Sequence, residues 1–81
     1  MANVSEIIDL LSEISDDVSA TKNLKAKISQ IVHILNADGD LSLKKNKASH
    51  ELDELASNND IDSYTRTQLL GIVGALENVE E

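Results

Sequence analysis

An all-α fold is predicted for this 81-residue chain by three features of the sequence. Apolar residues recur at the i, i+3, i+4 spacing of a helix face in four separate stretches. Clusters of Asn, Asp, Ser and Gly punctuate those stretches, and the alternation expected of a strand is nowhere sustained. The first helix is read over about residues 4–15 from Val4, Ile7, Ile8, Leu11 and Ile14, ending at "SDDVSA". Asn3, with Glu6 three residues later, resembles a capping box in which each side chain takes an orphan backbone N–H. The second helix uses Leu24, Ile28, Ile31, Val32 and Leu35 and stops at "NADGD", where Gly39 suits a backbone turn that other residues resist. A third helix carries Leu43, Ala48, Leu52, Leu55 and Ala56, although its first half, "LKKNKASH", is too polar to bury a continuous stripe. After "SNNDID" the fourth helix uses Leu69, Ile72, Val73 and Leu76.

The second and fourth helices are related. Shifting the sequence by 41 residues aligns the two halves without a gap: Leu11 meets Leu52, Glu13 meets Glu54, Ile31 meets Ile72, Val32 meets Val73 and Leu35 meets Leu76. Ile14/Leu55, Ile28/Leu69, Asp17/Asn58 and Lys25/Arg66 agree in kind. A period of about 40 residues with two helices per unit is the pattern of HEAT-type α-repeats. One domain, 1–81, is therefore expected, built as two HEAT-like helical hairpins (repeat 1 about 4–36, repeat 2 about 45–77). Two repeats fall short of the roughly three a solenoid needs, so the hairpins should pack into a compact four-helix array. Similarity between unrelated amphipathic helices is the competing explanation.

Composition narrows the function classes. A chain this short buries only about two thirds of the surface it exposes when unfolded. It has no Cys, which fits a cytoplasmic protein and removes thiol catalysis and Cys-ligated zinc. No basic region precedes a long apolar run, so no secretory leader is expected, and no stretch reaches the roughly 18–20 apolar residues of a membrane span. The net charge of −8 argues against nucleic acid as a partner of the whole chain. Charge is nevertheless uneven: residues 22–47 hold six of the seven bases, Lys22, Lys25, Lys27, Lys44, Lys45 and Lys47.

"NVSEIIDLLSEIS", "KNLKAKISQIVHILN", "LDELASN" and "TRTQLLGIVGALE" resemble, in order and spacing, an archaeal set of short cytoplasmic proteins, uncharacterised protein family 0147. The resemblance covers nearly the whole chain, with "TRT" at Thr65 to Thr67 its most specific piece. It implies an all-helical fold and an archaeal source such as Thermoplasma, and it carries no activity or catalytic residue to transfer. Prolines usual in the family's two turns are replaced here by Thr21 and Asp62, and the third helix is more polar than the family pattern.

Motifs that could carry chemistry fail on inspection. An EF-hand register with Gly39 at the loop's sixth position puts Ile34 at the first and Lys45 at the twelfth, neither of which can bind calcium. "HELDE" begins like a zinc-protease motif, but Glu54 stands where the second histidine belongs, and no third ligand is evident for His50 and Glu54. No serine elbow and no phosphate-cradling glycine loop is present, so no cofactor and no enzymatic activity are expected. Lys25 and Arg66 border the apolar stripe early in the second helix of each repeat, and each can reach an acid such as Asp17 or Asp60. Alternatively they join Lys22 and Tyr64 in a basic strip able to hold a phosphate or an acidic partner.

Gly71 and Gly74 stand inside the fourth helix, where two glycines cost nearly 2 kcal/mol relative to alanine. With Thr67 and Asn78 they form a stripe opposite the apolar face, occupied in the first repeat by Ala26, Gln30, His33 and Ala37. Close approach by another helix would offset that cost, and the helix can belong to the same chain or to a second copy in a homodimer. The expected function is a small helical module that binds an unidentified protein or itself. The alternative is an RNA- or ribosome-associated factor using the lysine-rich middle.

Overall fold

The computed structural model describes residues 3–79 as four α-helices: α1 (Val4–Ser15), α2 (Lys22–Asn36), α3 (Leu41–Ala56) and α4 (Ser63–Glu77). Each begins on a side-chain cap that relieves the unpaired N–H groups of the first turn. Asn3 Oδ1 accepts from Glu6 N at 2.9 Å and Thr21 Oγ1 from Leu24 N at 3.1 Å. Asp40 Oδ1 accepts from Ser42 N at 2.8 Å and Asp62 Oδ1 from Thr65 N at 2.9 Å. Thr21 and Asp62 thus act as the caps of α2 and α4. Between α2 and α3 the chain leaves the helix through extended Ala37 and turns at Gly39, whose φ of +133° only glycine adopts without strain.

The 41-residue shift reappears in the hydrogen bonds. Moving α2 by that interval lands on α4 from first residue to last, and the C-caps Asp16 and Ser57 share φ −81° and ψ −9°. Asp17 N donates to Ile14 O and Ala20 N to Asp17 O; Asn58 N donates to Leu55 O and Ile61 N to Asn58 O. The Asp17 carboxylate accepts from Ser19 N, and the Asn58 amide oxygen accepts from Asp60 N in the same place. The two turns are one design written twice.

How the hairpins assemble differs from a solenoid. α1 packs on α2, α2 on α3, α3 on α4, and α4 returns to α1. Stacked HEAT-type units would put α1 beside α3 and α2 beside α4, and among the described residues no Cα atoms of those two pairs approach within 8 Å. The helices instead close a ring measuring 33 × 19 × 19 Å, joined by short connections that make sequence neighbours antiparallel. The physical reason is burial. A ring lets the one apolar stripe of each helix face a shared centre, whereas two stacked hairpins would leave outer stripes exposed.

That centre holds Ile7, Leu11 and Ile14 of α1, Leu24, Ile28, Ile31 and Leu35 of α2, Ala48, Leu52, Leu55 and Ala56 of α3, and Leu69, Ile72 and Leu76 of α4. Leu43, read from the sequence as a core residue, is 62% exposed. The register of α3 runs instead through Leu41, Lys45, Ala48, Leu52 and Leu55, so Leu43 falls outside it. Lys45 occupies an apolar position by lying half-buried and carrying its ammonium to the rim, where Nζ donates to Val79 O at 2.7 Å and Glu77 O at 3.2 Å. Val79, beyond the last helix, is only 2% exposed and closes that end of the core.

Candidate functional site

The two equivalent turns, residues 16–21 and 57–62, meet at one end of the ring and line a cleft of about 200 Å³. Its walls carry Glu13, Asp17, Asp60 and Asp62, and no basic residue lines it among the described residues. Asp17 Oδ1 accepts from Ser19 N and Ser19 Oγ at 2.9 and 2.8 Å, and these bonds hold its carboxyl below the ordinary carboxylate range. Hydrogen bonding by Thr65, whose amide donates to Oδ1 at 2.9 Å, and the nearby Arg66 charge hold the Asp62 carboxyl low, while desolvation and the Asp17 charge push it back up. Tyr64, at the start of α4, joins the lining and is 70% exposed.

The residues expected to form a basic strip are not gathered there. Lys22 and Lys25 are exposed and, like Arg66, lie outside the cleft lining. Arg66 is half-buried and turned into its own turn: Nε donates to Ala56 O at 2.8 Å, and Nη2 donates to Asn58 O at 3.3 Å and Ile61 O at 3.2 Å. Its partners are backbone carbonyls rather than the Asp17 or Asp60 carboxylates anticipated from the sequence. Three acceptors that end α3 and shape the following turn are satisfied by one planar guanidinium. Lys25, its counterpart, is exposed. Two more lysines of the basic middle are held at helix ends, Lys44 by Ala37 O at 3.0 Å and Lys45 as described.

The outer face of α4 is the second feature. Thr67, Gly71, Gly74 and Asn78 are all exposed, and a Cβ added at either glycine would meet nothing within 4 Å. A helix of the same chain therefore does not account for the glycines among the described residues. Leu70, 51% exposed, and Tyr64 flank the stripe, and none of Ser63, Tyr64, Thr67, Leu70, Gly71, Gly74 or Asn78 is charged.

His50 and Glu54 face one another at 3.1 Å across one turn of α3, both well exposed, an ion pair only when the imidazole is protonated. Among the described residues no group of three or more His, Asp or Glu side chains is placed to hold a metal ion. No helix of the described chain is long and apolar enough to cross a membrane.

The cleft was not anticipated from the residues, yet its signal is in the repeat. The 41-residue shift pairs Asp17 with Asn58, Ser19 with Asp60 and Thr21 with Asp62, and two antiparallel hairpins in a ring bring their turns to one end. Acid at each turn then becomes acid on both sides of one opening.

Known proteins supply a family for this architecture. No curated protein matches the chain. The crystal structure of unknown function protein MMP1188 is similar over 96% of this chain and 90% of its own, with a TM-score of 0.85 and 28% identity. The model of the Uncharacterised protein family (UPF0147) matches residues 1–79, which span all four helices, the paired turns and the cleft between them. The chain belongs to that family, UPF0147.

Proposed function

We propose that this protein is a small, non-catalytic interaction module of the cytoplasm that associates with a second copy of itself through the outer face of α4. The observation that carries this reading is the uncharged, exposed surface of Leu70, Gly71, Gly74 and Thr67, with open space above both glycines. Two helices approach most closely where side chains are absent, and a leucine from one copy fits over the glycines of the other. Charge favours the same face. Copies carrying −8 each repel over most of their surface, and a helix face whose one charged neighbour, Glu77, stands at its edge beside Leu70 lets them meet with less repulsion. A two-fold pairing of α4 also adds buried apolar area to a small core.

The nucleic-acid alternative has less support. Lys44 and Lys45 are engaged at helix ends, and the single aromatic side chain, Tyr64, sits among carboxylates. Such an arrangement offers neither a continuous basic surface nor a row of stacking platforms.

Sedimentation of the wild type and of Gly71→Leu, with circular dichroism of both, tests the proposal. The wild type is expected to dimerise with rising concentration. The variant is expected to keep its helicity and sediment as a monomer. A wild type that stays monomeric at high concentration refutes self-association.

A further inference from the structure

We propose that the cleft between the two turns is a docking site for an arginine side chain projecting from a basic segment of a different protein. Four features of the cleft point to that occupant. Its volume of about 200 Å³ lies below the roughly 300–1,000 Å³ of sites for drug-sized ligands and suits one long side chain. Its lining includes Ile14 and Ile61, against which an aliphatic stem can lie, beneath a rim of carboxylates. Tyr64 stands 70% exposed in the same lining, available to stack on a planar cation.

The fourth feature is charge. Asp17, Asp60 and Asp62 come from opposite sides of the cleft with no basic residue in its lining among the described residues. The Asp17 charge opposes that of Asp62, while Arg66 offsets it in part from outside the cleft. Asp17 and Asp62 each use Oδ1 to hold their own turn, so Oδ2 of each is left to accept from a visitor. The chain's one arginine, Arg66, spends its donors on backbone carbonyls, so its charge favours the Asp62 carboxylate from a distance but makes no hydrogen bond to it. A guanidinium supplies donors in a fixed fork and a permanent charge, which matches carboxylates presented from two walls. The overall charge of −8 draws a basic partner toward the surface before docking.

Titration of the isotope-labelled protein with the peptide acetyl-Gly-Arg-Gly-amide, followed by amide chemical shifts, tests the assignment. Shifts are expected at Ser19, Thr65 and Gln68, with little change at Gly71 and Gly74, so the result is independent of self-association through α4. The same peptide with citrulline in place of arginine should shift nothing, and moderate salt should weaken the arginine effect. Asp17→Asn/Asp60→Asn/Asp62→Asn removes the charge while keeping side-chain oxygens that can accept the same turn bonds, and it should bind about ten-fold more weakly. Tyr64→Ala should weaken binding by a few-fold without touching any turn bond. Shifts scattered over the acidic surface, equal shifts with citrulline, or an Asn variant that keeps its helicity and binds as well as the wild type would overturn the proposal.

Discussion

Replacing Arg66 with methionine isolates what its guanidinium does, because methionine keeps most of the stem's apolar packing and removes every donor. Three carbonyls then lose a partner, those of Ala56 at 2.8 Å, Ile61 at 3.2 Å and Asn58 at 3.3 Å, in a half-buried setting. A charged donor at the shortest distance is worth about 1.5 kcal/mol and each longer bond roughly 0.5 kcal/mol, for a loss of about 2–3 kcal/mol. In a domain of this size each kcal/mol moves the melting temperature by about 4–8 °C, so a fall of roughly 10–20 °C is expected by circular dichroism. Arg66→Lys should recover less than half of it, since one ammonium cannot replace a fork. Lys25→Met, at the equivalent position in the first repeat, should change stability by less than about 0.5 kcal/mol. Salt separates the mechanisms. Bonds to neutral carbonyls persist at 1 M salt, whereas a pairing with Asp17 or Asp60 would be screened. An Arg66→Met penalty below about 0.5 kcal/mol, or one that vanishes in high salt, would refute the account.

Gly71→Ala combined with Gly74→Ala should stabilise the monomer by about 1–2 kcal/mol, since both sites are open, yet weaken the dimer by holding the helices apart. Calorimetry at low concentration and sedimentation at high concentration read the two effects, and undiminished self-association would refute the glycine interface. Val79→Ala should lower stability by about 1–2 kcal/mol because the side chain is fully enclosed, and Lys45→Met by a similar amount through loss of its two carbonyl bonds. The Asp17 and Asp62 carboxyls titrate below their unfolded range because of turn hydrogen bonds, so their stabilisation is complete above the unfolded pKa and is lost as pH falls through the lower folded value. The melting temperature should therefore drop below about pH 4, less steeply in Asp17→Asn/Asp62→Asn; identical acid profiles would show that these carboxylates contribute nothing.

Local chemistry made the helices legible. The cap Asn3 acts within three residues of itself, and a helix face needs only its own spacing to be recognised, whereas the capping roles of Thr21, Asp40 and Asp62 came from the structure. The repeat was legible for the same reason, because each turn is closed by bonds between residues no more than four apart. Leu43 shows where such reading stops. It and Leu41 are chemically alike, and only the direction in which α3 meets its neighbours places one at the core and the other in solvent. Val79 and Lys45 were hidden because their pairing joins residues 34 apart in sequence. Arg66 was recognised as a residue with a task, but whether a guanidinium takes carboxylates or carbonyls depends on how the turn folds around it.

By itself, then, the sequence determined four helices and a similarity between the halves, since these rest on hydrogen bonds and periodicities that close over a few residues. It set the second hairpin's start near residue 45, whereas α3 begins at Leu41. The tertiary structure alone decided that the hairpins form a ring instead of a stack, that the duplicated turns face each other across an acidic cleft, and that the glycines of α4 look outward. Those outcomes depend on which stripe packs against which, and that choice is made by the burial of all four faces at once.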